Sequence, residues 1–117
     1  MLTGDETRAA LIAQLSLDER QHAILYQASP HIPPGPLEIG RQNIVAPWPA
    51  CLAFVDREPT ANWGHSCRYV LLNTDTSEIL SFEVRFPPFQ GNDRLTWRTI
   101  YQSPTAPAWA VKVPHQE

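Results

Sequence analysis

A chain of 117 residues with 43% hydrophobic and 18% charged side chains has enough apolar surface for one folded domain and too little charge for a wholly disordered one. Its net charge of −3, with Lys112 as the single lysine, leaves no concentrated basic face for a phosphate backbone, so nucleic acid is not an expected partner; Arg85, Arg94 and Arg98 offer at most a small local patch. No apolar run approaches the length of a membrane span, and Met1 to Glu6 lack the basic start and apolar core of a secretory signal, so the expectation is a soluble cytoplasmic protein with reduced thiols and no membrane partner.

In chain order, the first element is helical. Leu11, Ile12 and Leu15 recur at helical spacing among good helix formers, and Thr3 or Asp5 can cap the start. Ser16 followed three positions later by Glu19 is a capping box, which signals a second helix or a restart after a bend. The expected helical segment is therefore 5–28, as one bent helix or two short ones, with the second running from Leu17 to about Gln27 and Ala23, Ile24 and Tyr26 available for burial. Asp5, Asp18 and Glu19 read as helix-start residues, for which capping and solvation suffice.

Pro30, Pro33, Pro34 and Pro36 mark 30–49 as a proline-rich connector, stiff enough to carry the chain from helix to sheet, with a short extended segment at Asn43-Ile44-Val45. Trp48, between Pro47 and Pro49, cannot occupy a central strand and is expected to fold over an edge of the core.

The span 50–101 reads as an antiparallel meander. Cys51 to Asp56 and Cys67 to Asn73 are apolar on both sides, so both strands need cover on two faces. In the next strand, Leu80, Phe82, Val84 and Phe86 alternate with Ser81, Glu83 and Arg85, the pattern of a half-buried strand. The polar turn Asn73 to Ser77 joins these two into a hairpin. Leu95 to Tyr101 supplies a fourth strand, with Leu95, Trp97, Thr99 and Tyr101 expected on one side. Residues 102–117 read as an irregular tail in which Trp109 to Val113 can add an edge strand. The predicted fold is α+β: a single domain, 1–117, with an N-terminal helical segment packed on an antiparallel sheet of about four strands.

Chemistry concentrates in Asn62-Trp63-Gly64-His65-Ser66-Cys67-Arg68. Cys67 as nucleophile with His65 as base is one reading, since a thiolate needs a base or a positive field near neutral pH. On an extended segment their Cβ atoms lie roughly 6–7 Å apart on one side. The competing reading makes Cys67 a small buried hydrophobe at the start of a core strand and His65 a loop residue with a local hydrogen bond. A metal held by Asp56, His65 and Cys67, with His22 as a fourth ligand, lacks any recognised ligand spacing, and no cofactor or metal is expected. A hairpin of the first two meander strands puts Cys51 and Cys67 at opposite ends, roughly 16 Å apart, beyond disulfide reach.

There is no glycine-rich phosphate loop, nucleophile elbow or zinc-protease helix in the chain. The leading expectation is a non-enzymatic protein-binding or accessory module. It would act on another protein through the loop 57–66, with Trp63, Asn62, His65 and Arg68 as binding residues, or through a sheet edge. Four tryptophans are more than a small core readily hides; Trp63 is the best candidate for an exposed anchor, with burial against the sheet edge as core the equal alternative. The alternatives are a thiol enzyme using Cys67 and His65, and a homo-oligomeric structural protein that pairs an apolar edge such as Trp109 to Val113 with its copy.

Overall fold

A computed structural model describes residues 1–61, 64–89 and 94–111. Two capping boxes open the fold. In α1, Gly4–Ala13, the Thr3 hydroxyl accepts from the Glu6 amide while the Glu6 carboxylate accepts from the Thr3 amide; Ser16 and Glu19 repeat the exchange at the start of α2, Leu17–His22. The helical segment thus takes its two-helix form.

The second helix is shorter than its sequence predicts. It ends at His22, and Ile24–Ser29 is a strand, β1, not helix. The reason is burial: Ile24 through Ala28 are all buried, alternately on opposite faces of a sheet. A strand inside a sheet covered on both sides reads as a continuous apolar run, which periodicity alone does not separate from a buried helix.

The other strands are β2 (Gly35–Ile39), β3 (Gln42–Ala46), β4 (Cys51–Asp56), β5 (Cys67–Leu72), β6 (Ile79–Val84) and β7 (Thr96–Gln102). Five form one antiparallel sheet in the order β6-β5-β4-β1-β7. The fold is α+β, as the sequence predicts, with β1 inserted between the first and last strands of the meander. Register places Cys51 opposite Leu72 and Cys67 opposite Asp56, so the two thiols lie at opposite ends of the β4–β5 pair and both are free.

The expected connector is structured. Within it β2 and β3 form a two-stranded hairpin closed by Gly40 and Arg41, both at positive φ (59° and 67°), the geometry of a tight two-residue hairpin turn. That hairpin lies over one face of the large sheet and the helices over the other. Leu11 and Leu15 pack on Leu25, Ala53, Val55, Val70, Leu72 and Ile100. On the opposite face Ile39, Ile44 and Ala46 of the hairpin share a core with Tyr26, Phe54 and Tyr69. Aromatic contacts fix this layer: Tyr26 stacks on Phe54 with centroids 6.0 Å apart, and Phe89 meets Tyr26 edge-on at 5.0 Å. Trp48 is half-buried against the same core, as expected of an edge-covering residue.

Two further expectations are corrected. The alternation predicted for β7 fails at a bulge, where the partner of Leu25 is Tyr101 and that of Tyr26 is Thr99; Ile100 and Tyr101 then both pack on the helix side. Trp109 is not in a strand: Ala108–Ala110 is a single 3-10 turn whose Ala110 is buried in the hairpin-side core while Trp109 is 70% exposed. Lys112 and Val113 lie outside the described residues. Among the described residues no helix is long and apolar enough to cross a membrane.

Candidate functional site

The β4–β5 connection, 57–66, gathers the polar chemistry of the molecule at one end of the sheet. Its base is a buried ion-pair network that begins with Arg68. This residue lies in a strand whose six members are all buried, on the helix-facing side, and its guanidinium therefore needs an internal counter-charge. Glu19 of α2 supplies it: Arg68 Nε and Nη2 donate to the two carboxylate oxygens at 2.8 and 2.7 Å. Arg57, at the start of the connection, donates from Nε to the same carboxylate at 2.8 Å. Its two terminal nitrogens donate to Glu83 of β6, and Nη1 also donates to Ser66 Oγ. One carboxylate buried to 3% exposure thus joins helix, loop and sheet. Burial alone would raise the Glu19 pKa, but the Arg68 guanidinium, the Ser16 amide and the Arg57 guanidinium outweigh it and lower it to about 2.

A second buried pair lies on the opposite face of the sheet. His65 Nε2 and Asp56 Oδ1 are 2.7 Å apart, and the same oxygen accepts from the Glu58 amide. Asp56 is fully buried, and its Oδ2 has no hydrogen-bond partner among the described residues. Cys67 sits across from Asp56 in the ladder, buried, with Sγ 3.5 Å from the Val84 carbonyl. Burial first, and then the Asp56 carboxylate, push this thiol up to about 12. Such a thiol stays protonated near neutral pH, the opposite of what a cysteine nucleophile requires. His65 meets Asp56 in the same hydrogen-bonded pair that ties the loop down to β4.

Native-state alkylation between about pH 6 and pH 9 is therefore expected to leave both thiols unmodified, since Cys51 is also buried and also raised, while urea-unfolded protein labels at both. Fast labelling of Cys67 in the native protein would restore the nucleophile reading.

The structure brings together His65 and Asp56 but keeps Arg68 on the helix side, where it is engaged by Glu19, Ser81 and the Gln14 carbonyl rather than offered to a partner. Trp63 and Asn62 lie outside the described residues. His22 stands apart on α2 beside Asp18 and Thr105, and among the described residues no group of three His, Cys, Asp or Glu side chains could hold a metal ion. Between the loop residues Arg57–Ala61, His22 and Thr105–Ala106 is an open cleft of about 280 Å³.

Sequence reasoning missed Glu19 as the centre of the network, and with it Arg57 and Glu83. The available signal was Arg68 itself: an arginine inside an otherwise apolar strand implies a buried carboxylate, and Glu19 already stood in a capping box that would hold it in place.

The remaining feature is the outer edge of β6. Its register with β5 runs unbroken through six pairs, from Cys67 opposite Val84 to Leu72 opposite Ile79. The Asn73 amide donates to the Glu78 carbonyl, so this pair and each second pair after it are the hydrogen-bonded ones. The backbone groups of Ile79, Ser81 and Glu83 consequently point outward, away from β5. Ile79 and Leu80 are each 38% exposed. Comparison of the chain with protein-family models, curated proteins and solved structures gives no match.

Proposed function

We propose that this chain is a small non-enzymatic protein-binding module that takes up an extended segment of a partner along the outer edge of β6. The observation that carries the reading is the difference between the two edges of the sheet. An edge strand is a template for another strand, and proteins that do not use it blunt it with lysine, proline or a bulge. β7 has a bulge and carries Arg98. β6 has neither proline nor lysine nor a register shift, and its one charge, Glu83, is already paired with Arg57 of its own chain.

The loop 57–66 is the weaker docking candidate: of its described polar side chains, Arg57, His65 and Ser66 are turned inward onto Glu19, Asp56 and each other, and only Glu58 and Thr60 are exposed. Its contribution is to brace β6 through the Arg57–Glu83 pair, so the edge is held straight and ready to pair.

Ile79→Pro tests this. Ile79 is the first residue of β6 and its amide points outward, so proline removes an edge donor while leaving the β5 ladder bonded. Extended peptides selected from a random library for binding to the wild-type protein are expected to lose about 100-fold in affinity for Ile79→Pro. They should keep it for Thr60→Ala in the loop cleft. Peptides sensitive to Thr60→Ala but not to Ile79→Pro would move the site to the loop.

A further inference from the structure

The occupant of the β6 edge is, we infer, a second copy of this chain, docked by antiparallel β6–β6 addition about a two-fold axis at Ser81; this rests on the edge reading above. A C2 interface must be complementary to itself, residue by residue. Outward-pointing backbone occurs at Ile79, Ser81 and Glu83. Only registers that set these residues against one another form a regular ladder, and the one centred on Ser81 pairs all three: Ile79 with Glu83 of the other copy, Ser81 with Ser81, Glu83 with Ile79.

Side chains agree with that register on both faces. Leu80 and Phe82 point to the hairpin side, where Leu80 is exposed and Phe82 only partly covered. The two-fold sets each Leu80 against the other copy's Phe82 in the closer, non-hydrogen-bonded pairs, so the four apolar side chains cover one another. On the helix side the edge carries one charge per copy, Glu83. It meets Ile79 rather than another carboxylate, and Arg57 of its own chain neutralises it. No like-charge contact opposes the approach, and the large sheet continues across both copies.

Ser81→Cys places a thiol on the axis. Hydrogen-bonded antiparallel pairs have Cα atoms about 5.5 Å apart, within disulfide range, and both native cysteines are buried, so they do not compete. Mild oxidation of Ser81→Cys is expected to give a disulfide-linked dimer in high yield. Sedimentation of the wild-type protein over a concentration series is expected to show a reversible dimer, and Ile79→Pro to weaken it by about 100-fold. Leu80→Lys, which leaves the backbone alone, should also dissociate it, and covers the case in which the proline variant fails to fold.

A wild-type protein that stays monomeric throughout, or a dimer that Ser81→Cys does not cross-link, overturns the two-fold pairing. The edge reading has its own outcome: a monomer that still binds extended peptides in an Ile79-sensitive way keeps the docking edge and removes only the second copy. A monomer that binds none removes both.

Discussion

Glu19→Ala is expected to lower the unfolding free energy by about 3–5 kcal/mol, the range for breaking a buried ion pair by removing one partner. The size follows from what is left behind. Arg68 is buried and donates to both Glu19 oxygens in a bidentate pair, and Arg57 donates to the same carboxylate, so alanine strands one interior cation and loosens another. The carboxylate's half of the capping box, the bond from the Ser16 amide, is lost as well, worth about 0.5–1.5 kcal/mol, while the Ser16 hydroxyl keeps its bond from the backbone amide of residue 19. Urea unfolding of Glu19→Gln separates the two contributions, because glutamine keeps the cap but not the charge. Nearly equal losses for Ala and Gln would assign the effect to the ion pair; a loss below about 1 kcal/mol for alanine would reduce Glu19 to a surface cap.

Acid titration gives the same residue a pH signature. The folded-state pKa of Glu19, about 2, lies below its ordinary value of 4.5. A depressed carboxylate contributes stability that is fully present above its unfolded pKa and is lost as pH falls toward the folded one. Wild-type stability should therefore fall more steeply than that of Glu19→Ala between about pH 5 and pH 2. Parallel curves would contradict a buried, charged Glu19.

Gly40→Ala is expected to cost about 2–4 kcal/mol, most of it from displaced packing rather than from the residue's own backbone. Gly40 sits at φ 59°, where a side chain is disfavoured. A Cβ there would meet Tyr69 Oη at 2.0 Å and the Phe86 carbonyl oxygen at 2.9 Å. Those two atoms are themselves hydrogen-bonded at 2.8 Å, so the hairpin turn cannot shift without disturbing the link between β5 and the end of β6. Thermal unfolding with loss of near-ultraviolet aromatic signal is the measurement. Tolerance of alanine would mean that the β2–β3 hairpin is not seated on Tyr69. The same turn has a second hold on this point, since Arg41 stacks its guanidinium 4.4 Å from the Phe86 ring and so steadies the chain where it leaves β6.

What could be read in advance divides by the range of the interaction. Ser16 and Glu19 announce a helix start because a capping box closes within one turn and needs nothing from elsewhere. The β5–β6 hairpin was legible for a similar reason: a polar turn joins an apolar strand to one that alternates, and the register follows from the turn. Ile24 to Ala28 failed because helix and central strand share one signature, a short apolar run, and only the presence of β4 and β7 on either side decides between them. The hairpin inside the proline-rich stretch was half-hidden for another reason. Proline density suggested an extended connector, while Gly40-Arg41, the turn that folds it back, carries a weaker signature than Asn-Gly.

The candidate site shows the same division. Composition, the absence of catalytic motifs and the position of the polar loop were properties of the chain alone, as was the expectation that Cys51 and Cys67 stay apart. Tertiary structure decided that His65 meets Asp56, that Arg68 turns inward to a carboxylate 49 residues away, and that Cys67 is a core residue with its pKa raised. It also decided which strands, β6 and β7, form the two edges of the large sheet. The physical reason is common to all four. Local backbone conformation is set by neighbours in sequence, whereas the environment of a buried charge, thiol or strand edge is set by whatever the fold places beside it, and that partner is named only when the chain has closed on itself.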